Sequence, residues 1–273
     1  MTLWEAVLCG ILQGLTEFLP ISSSGHLALA HAFFGMESAE SYLTFDILLH
    51  FATLCVVFAV YYKDIFSLVP AFFTMTGKLF RGKFHFSTLK EMEKMAFLLV
   101  IATLPLAFSF FVKDAVEFLS GYARAVGLIL ILNGALLLIA DRFSKKRGCA
   151  LLTPMGAWGV GLFQLAALIP GLSRSGSTIS GGMLFGLSRK NAVKFSFLMS
   201  IPAILGANLL HIPEMMQTEL SAFVLGYYLL GMAAAILFGF LSIRFLNYIS
   251  TKENFGFFSY YCIILGVFSV VFG

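Results

Sequence analysis

The sequence predicts an all-α, polytopic integral membrane protein with six transmembrane helices and two re-entrant helix hairpins, arranged as an inverted-topology repeat. The 273 residues are 59% hydrophobic and 12% charged, and they include 31 Phe. The mean hydropathy is +0.93. Soluble domains carry about 25% charged residues and cannot bury this much apolar surface, so the bilayer is the expected solvent. The other two observations are a series of long apolar runs and a polar loop that occurs twice.

Six apolar runs each have about the 20 residues that a bilayer core requires. They lie at about 43–62, 95–112, 122–140, 191–211, 222–243 and 255–273. Residues 63–94 form the longest polar connection between them. Two further regions, at about 1–35 and 153–187, are interrupted by Pro, Gly and Ser, which predicts a helix–loop–helix hairpin in each.

The two hairpins contain the repeated loop. The first copy reads QGLTEFLPISSSGH over 13–26, and the second reads QLAALIPGLSRSGST over 164–178. A shift of 151 positions aligns the opening glutamine and the serines and glycine that follow the proline. The repeat predicts one membrane domain over 1–273, with half-repeats at about 1–141 and 150–273, and a single site built from both.

The charged residues predict the topology. Fifteen of the 18 Lys and Arg lie in four connections, at 63–94, 142–152, 188–194 and 244–252. The remaining connections carry Glu37, Glu40, Asp114, Glu117, Glu214 and Glu219. Six spans and two re-entrant hairpins put all the basic connections on one side, which the positive-inside rule makes cytoplasmic. Both termini are then external, and the two hairpins enter from opposite sides.

Several other classes are excluded by the residue pattern. The net charge of +4 is not a nucleic-acid signal, because no basic stripe interleaves with aromatic residues. The four cysteines show no C-x-x-C spacing, which favours buried thiols over disulfides or a metal site. We expect no cleavable signal peptide, since the N-terminus lacks a basic region and Glu5 interrupts the apolar stretch.

The hairpin tips have the pattern of an anion site. Pro20 and Pro170 end the incoming helices, and serines in N-cap positions follow each proline. Two helix N-termini would then direct free N–H groups and positive dipole ends at one point. The candidate phosphate-binding residues are Ser22, Ser24, Gly25, Ser173, Ser175, Gly176 and Thr178.

Four further side chains suggest chemistry at these tips. Arg174 is a buried cation in apolar sequence, and its planar fork suits a pair of phosphate oxygens. Glu17 shares a helix face with Gln13, and a carboxylate beside an anion site is expected to bind a metal or move a proton. His26 follows Ser23 by three residues, so its imidazole is predicted to reach that hydroxyl. These are the parts needed for phosphoryl transfer.

Each of these residues also has a structural interpretation. Arg174 could clamp loop carbonyls, Glu17 could cap a helix end, and His26 could be a packing histidine. Asp46 and His50 lie four apart in a spanning helix, where they either support the site or form a simple buried pair.

The stretches QGLTEFLPISSSGHL and PGLSRSGST resemble the two signatures of the undecaprenyl-diphosphate phosphatases, the bacitracin-resistance phosphatase family. The resemblance covers the whole chain. It implies a bacterial plasma-membrane enzyme that hydrolyses the C55 lipid diphosphate to the monophosphate carrier and inorganic phosphate. This recycles the carrier for peptidoglycan synthesis and confers bacitracin resistance. It also implies a divalent cation, Mg²⁺ or Ca²⁺, and a site open to the periplasmic or external side.

The signatures also carry roles over to single residues. By resemblance, the catalytic residues are Glu17, Ser23, His26 and Arg174, with Glu17 at the metal. Ser22, Ser173, Ser175 and Thr178 belong to the same signatures. The family often has an acid where this chain has Gln13, and an amide cannot act as a base or bind a metal as a carboxylate does.

The resulting hypothesis is that either Ser23 attacks the terminal phosphorus with His26 as base, or an activated water attacks directly. Arg174→Ala and His26→Ala are each expected to abolish turnover. The rival hypothesis is a polyprenyl-phosphate transporter or flippase that uses the same phosphate site. A purely structural protein would leave the buried Arg174 and Glu17 without a reason. The expected partners are the lipid substrate and membrane lipids, with a homodimer left open and no nucleic acid.

Overall fold

The computed structural model describes residues 2–34, 39–112, 116, 118–119, 121–147, 152–217, 222–252 and 255–273. The described residues form ten α-helices with defined ends and contain no β-strand. The helices are α1 Leu3–Phe18, α2 Ser23–Phe34, α3 Ala39–Phe80, α4 Glu91–Thr103, α5 Ala123–Arg147, α6 Pro154–Ala166, α7 Arg174–Leu184, α8 Arg189–Gln217, α9 Ala222–Lys252 and α10 Gly256–Phe272. Two 3₁₀ segments lie at Phe86–Thr88 and Leu104–Val112.

Five helical segments are long and apolar enough to cross a membrane. They are Thr44–Phe80, Glu91–Val112, Ala123–Ser144, Arg189–Pro213 and Phe223–Lys252. The sixth predicted run forms α10, which is apolar but has only 17 residues. Large apolar side chains point outwards along these helices, including Leu132 at 62% and Ile264 at 70% exposure. The predicted class, an all-α multi-pass membrane protein, is confirmed, because only lipid is a suitable solvent for such a surface.

The connection predicted at 63–94 is wrong over its first half. Helix α3 kinks at Tyr61 but continues as far as Phe80. The hydropathy falls at Lys63 and Asp64, yet charged side chains do not interrupt backbone hydrogen bonding, so the helix continues past the apolar run. Lys194 Nζ lies 2.6 Å from Asp64 Oδ1 and ties the extension of α3 to α8. The acidic connections lie largely outside the residues whose side chains the structure describes.

Small residues make the closest helix contacts. A Cβ on Gly10 would lie 2.1 Å from the carbonyl oxygen of Gly231, where α1 crosses α9. A Cβ on Gly161 would lie 2.4 Å from the carbonyl oxygen of Ala102, where α6 crosses α4. Helix α5 packs on α10 in a similar manner. Small residues at these crossings let the backbones approach, as is common between helices in membranes.

Two helix pairs, α1–α2 and α6–α7, form hairpins that position the site. Helix α1 begins at Thr2, whose Oγ1 accepts from the Glu5 amide at 3.3 Å. Helix α6 begins at Thr153, whose Oγ1 accepts from the Gly156 amide at 3.0 Å. These caps lie 151 positions apart, so the spacing of the repeated loop extends back to the first turn of each hairpin. Each N-cap satisfies an amide that the helix leaves free.

Candidate active site

A serine caps the second helix of each hairpin. Ser22 Oγ accepts from the Gly25 amide at 3.2 Å at the start of α2. Ser173 Oγ accepts from the Gly176 amide at 3.0 Å at the start of α7. The N-caps predicted at both tips are therefore confirmed. Two helix N-termini with positive dipole ends result, in equivalent positions of the two hairpins.

A buried asparagine in α5 joins the two tips. Asn133 Nδ2 donates to the Pro20 carbonyl at 3.1 Å, and its Oδ1 accepts from the Ser173 amide at 3.2 Å. Ser175 Oγ adds a direct bond to the Leu19 carbonyl at 3.0 Å. These bonds satisfy backbone groups that have left the helix inside an apolar protein. Sequence reasoning missed Asn133, although a lone amide in an apolar spanning run is a usable signal.

Glycines and one strained serine allow the tips to approach closely. A Cβ on Gly176 would lie 2.9 Å from Asn133 Oδ1, and one on Gly25 would lie 3.3 Å from the Cα of Gly171. Gly171 itself has a φ of 93°, which glycine adopts readily. Ser22 has a φ of 73°, a left-handed conformation that costs a non-glycine residue about 1–2 kcal/mol. Gly25 and Gly176, the two glycines that the sequence suggested as phosphate ligands, therefore allow close packing of the tips.

Glu17 lies at the centre of the cluster, with side chains from both hairpins on its carboxylate. Its Oε1 accepts a hydrogen bond from the Arg174 guanidinium. Its Oε2 accepts from Ser23 Oγ at 2.8 Å and from Gln13 Nε2 at 3.1 Å. His50 Nε2 lies 3.7 Å from the same oxygen. The structure thus brings together five of the residues that the sequence selected.

The charges of this cluster compensate one another. Glu17 is only 6% exposed, and a carboxylate at that depth needs a cation and hydrogen bonds to offset its desolvation. Arg174 supplies the cation, and its side chain keeps 23% exposure towards the cavity. Ser23 and Arg174 are the first helical residues of α2 and α7, 151 positions apart. Equivalent positions of the two hairpins therefore contact the two oxygens of one carboxylate.

A cavity of about 400 Å³ opens beside this cluster. The predicted residues that line it are Glu17, Ser22, Ser23, Ser24 and Arg174, with Asp46 and His50 from α3. Sequence reasoning did not place Gln164, Asn208 or His211 there, and they line it as well. The signal for Gln164 was available, because the repeat aligns it with Gln13.

His26 does not form the predicted hydrogen bond with Ser23. Its Nδ1 donates to the Ser22 carbonyl at 2.7 Å, and Nε2 lies 2.8 Å from the Tyr261 hydroxyl. A neutral imidazole that donates through Nδ1 accepts through Nε2, so its lone pair is taken by Tyr261. The reason is helical geometry, since side chains lean towards the preceding turn and bring the ring to the carbonyl four residues back.

The three hydroxyl residues of the second hairpin that were predicted to bind phosphate also bond within the protein. Thr178 Oγ1 donates to the Arg174 carbonyl at 2.8 Å and lies 2.6 Å from Ser196 Oγ, which ties α7 to α8. The hydroxyls of Ser173 and Ser175 lie 3.1 Å apart. Ser173 caps α7, and Ser175 donates to the Leu19 carbonyl of the first tip. Ser22 and Ser24 form the equivalent pair at 3.4 Å, but this pair lines the cavity.

An apolar groove adjoins this cavity between α3 and α8. Its volume is about 300 Å³, and its apolar walls are Ile47, Leu48, Phe51, Leu205, Leu209 and Ile212. Ile47 and Asn208 line both spaces. The cavity therefore combines charged side chains with apolar wall residues such as Leu106, Leu168 and Ile204, and the groove extends its apolar part, an arrangement that suits an amphipathic ligand.

The donor set of the cavity fits a shared metal ion and not a fully protein-bound one. The described residues contain no group of three His, Cys, Asp or Glu side chains that could hold a metal by themselves. Glu17 and Asp46 do line the same cavity, with His50 beside Glu17. Mg²⁺ commonly binds one or two carboxylates and completes its shell with water and substrate phosphates.

Known proteins resemble this chain over its whole length. A family model described as bacitracin resistance protein BacA matches residues 6–268. A protein of Alkaliphilus metalliredigens named undecaprenyl-diphosphatase is 39% identical, with 100% of this chain and 99% of that protein covered. Proteins with the same name from Methanosphaera stadtmanae and Bacteroides fragilis are 36% and 38% identical, with at least 96% of each chain covered.

Proposed function

The chain belongs to the bacitracin resistance protein BacA family, and on this premise we propose that it is an undecaprenyl-diphosphatase. It hydrolyses undecaprenyl diphosphate to undecaprenyl phosphate and inorganic phosphate, which recycles the lipid carrier for cell-wall synthesis. The observation that carries the proposal is the carboxylate of Glu17, bonded by Ser23 from one hairpin and by Arg174 from the other. A nucleophile that is hydrogen-bonded to a base, with a cation and two helix N-termini nearby, is the arrangement that phosphoryl transfer requires.

Arg174 is proposed to bind the diphosphate, since its guanidinium borders the cavity and its charge suits phosphate oxygens. Ser23 is the proposed nucleophile, and Glu17 is the base that receives its proton over 2.8 Å. An Oγ–P bond forms while the bridging P–O bond breaks, which releases undecaprenyl phosphate. Water then cleaves the phosphoserine to free inorganic phosphate. Glu17 takes the place of His26 as base, because the His26 ring bonds to Ser22 and Tyr261.

Direct attack by water is the alternative route, and Ser23→Ala distinguishes the two. If Ser23 is the nucleophile, this variant loses turnover and the wild type accumulates a phosphoserine when quenched in acid. If water attacks, Ser23→Ala keeps a large share of the activity, because Glu17 can activate water in the vacated space.

Glu17 and Asp46 would hold a divalent cation, Mg²⁺ or Ca²⁺, together with the substrate phosphates, and this proposal is supported by the position of both carboxylates on one cavity. Such an ion would neutralise charge on the diphosphate. The apolar groove beside Ile47 and Asn208 would accept the first isoprene units, so that the head lies in the polar cavity and the chain leaves towards lipid.

We further propose the six-span topology with two re-entrant hairpins. Helix α2 has 12 residues and α7 has 11, which gives lengths of about 18 and 17 Å against a bilayer core of about 30 Å. The contacts support two equivalent halves, because α1 packs on α9 as α6 packs on α4, and α5 packs on α10. The inversion itself rests on the distribution of the charged connections. The basic connections would be cytoplasmic and the site external. Gly82 lies in the basic connection at 63–94. In intact cells, a Gly82→Cys variant with no other cysteine should therefore not react with a thiol reagent that cannot cross the membrane.

Phosphate release from undecaprenyl diphosphate by the purified protein tests the proposed activity. We expect release that a chelator stops and added Mg²⁺ or Ca²⁺ restores. Arg174→Ala should lose it, whereas Arg124→Ala should retain it, because Arg124 is an exposed residue that bonds the Gly273 carbonyl. No release from monodisperse wild type would contradict the proposal and support lipid-phosphate transport through the same cavity. The names of the relatives and the Ser23–Glu17 bond favour hydrolysis.

A further inference from the structure

Gln164 is a buried amide with no hydrogen-bond partner. It lies in the last turn of α6, is 1% exposed and forms part of the cavity wall, with its amide atoms buried behind the surface of that wall. Neither its Nε2 nor its Oε1 has a partner within the protein. Most buried polar side-chain atoms in proteins are hydrogen-bonded, and two such atoms without partners on one side chain destabilise the folded protein. An amide that is costly to the fold and borders a ligand cavity points to a role in binding.

The equivalent residue of the other hairpin shows why this amide is free. Gln13 Nε2 donates to Glu17 Oε2 at 3.1 Å, four residues further along the same helix. The position four residues after Gln164 is Leu168, which has no polar side-chain atom. The Oε1 atom has no partner in either glutamine, so the two hairpins differ at Nε2, which is bonded within its own helix in the first hairpin and has no partner in the second.

We propose that Gln164 binds the diphosphate head of the substrate. Both amide atoms lie behind the cavity wall, so the side chain turns towards the substrate when the head group binds. Its Nε2 then donates to a phosphate oxygen, and its Oε1 accepts from a water molecule on the substrate, since phosphate oxygens themselves only accept. A neutral amide adds a directional bond without a second cation beside Glu17. This assignment rests on the proposed diphosphatase activity, and it gives Gln164 a direct contact with substrate.

The test compares Gln164→Leu with Ser242→Ala in the full-length protein. Leucine has a similar volume and removes both unpaired atoms, so the Tm should equal or exceed that of the wild type. The value of kcat/KM for undecaprenyl diphosphate should fall about 10- to 100-fold, the loss expected for one bond to a charged group. The Ki of inorganic diphosphate should rise by a similar factor. Ser242 has a buried unpaired hydroxyl and does not line the cavity, so Ser242→Ala should leave kcat/KM unchanged.

Gln164→Glu is the second variant, and it should lose more activity than Gln164→Leu because a carboxylate repels phosphate. Wild-type kcat/KM and Ki in Gln164→Leu, or wild-type activity in Gln164→Glu, would overturn the assignment while leaving the diphosphatase activity intact. A wild type that releases no phosphate would refute that activity instead. Protection of wild type and Gln164→Leu from thermal unfolding by inorganic diphosphate would still test the contact, and equal protection would overturn it.

Discussion

The two hairpins share a backbone plan but supply opposite chemistry. Each begins at a threonine cap, carries a buried glutamine near the end of its first helix and starts its second helix at a serine cap. At the equivalent positions 17 and 168, one hairpin has Glu17 and the other has Leu168. At positions 23 and 174, one has Ser23 and the other has Arg174.

The different residues at these equivalent positions show how two similar hairpins can form one site where they contact each other. Identical residues at equivalent positions would bring two carboxylates or two guanidinium groups together, and like charges at such depth repel strongly. The chain instead pairs Glu17 of one hairpin with Arg174 of the other. The repeat positions the backbone, and the departures from it supply the charges and the free amide of Gln164.

The largest expected effect comes from removing the cation of the second hairpin. Arg174→Ala should lower kcat by about 10³-fold or more, as for other arginines that bind transferring phosphoryl groups. It also leaves Glu17 uncompensated, so its Tm should fall. The double variant Glu17→Gln with Arg174→Ala should recover Tm but not phosphate release. Near-normal turnover in Arg174→Ala would contradict the claim that the second hairpin supplies the cation of the site.

The second prediction exchanges the carboxylate between hairpins. Glu17→Gln should reduce kcat by about 10²- to 10⁴-fold, the usual range for loss of a general base. Adding Leu168→Glu restores the charge in the other hairpin, but the Ser23 hydroxyl remains on position 17. Turnover should therefore stay low in the double variant. Recovered phosphate release would mean that the two hairpins are chemically interchangeable.

The third prediction concerns His26, which the sequence suggested as base. In the structure it joins the Ser22 carbonyl of the first tip to Tyr261. His26→Ala should lower Tm, since two ordinary hydrogen bonds of about 1 kcal/mol each are lost, and it should retain turnover that the loss of a catalytic base would remove. Tyr261→Phe should do the same to a smaller extent. An inactive His26→Ala with wild-type Tm and an unaffected Tyr261→Phe would instead support the role as base.

The smallest expected effect separates the two serine caps. Ser173→Gly should cost a few tenths of a kcal/mol, because glycine is a tolerable N-cap. Ser22→Gly also relieves a left-handed φ, worth about 1 kcal/mol, so its Tm should match or exceed that of the wild type. Thermal unfolding in one detergent measures both. A lower Tm for Ser22→Gly than for Ser173→Gly would contradict the strain at the first tip.

Local patterns in the sequence were sufficient for much of the fold. Five of the six apolar runs fall on helices long enough to cross a membrane, and the prolines and serines marked the tips and their caps. Arg174 and Glu17 stood out because charges are rare in apolar sequence. The extension of α3 to Phe80 was missed, since hydropathy reports the surroundings of a helix and not its end.

The sequence by itself determined the features whose partners lie within one helical turn. A serine caps the amide three residues on, and an apolar run of about 20 residues specifies a span whatever its neighbours. Only the tertiary structure decided the contacts between distant residues. Arg174 and Glu17 are 157 positions apart, Asn133 and Pro20 are 113 apart, and His26 and Tyr261 are 235 apart. These pairs depend on how the helices dock through close-packed side chains, which local patterns do not encode.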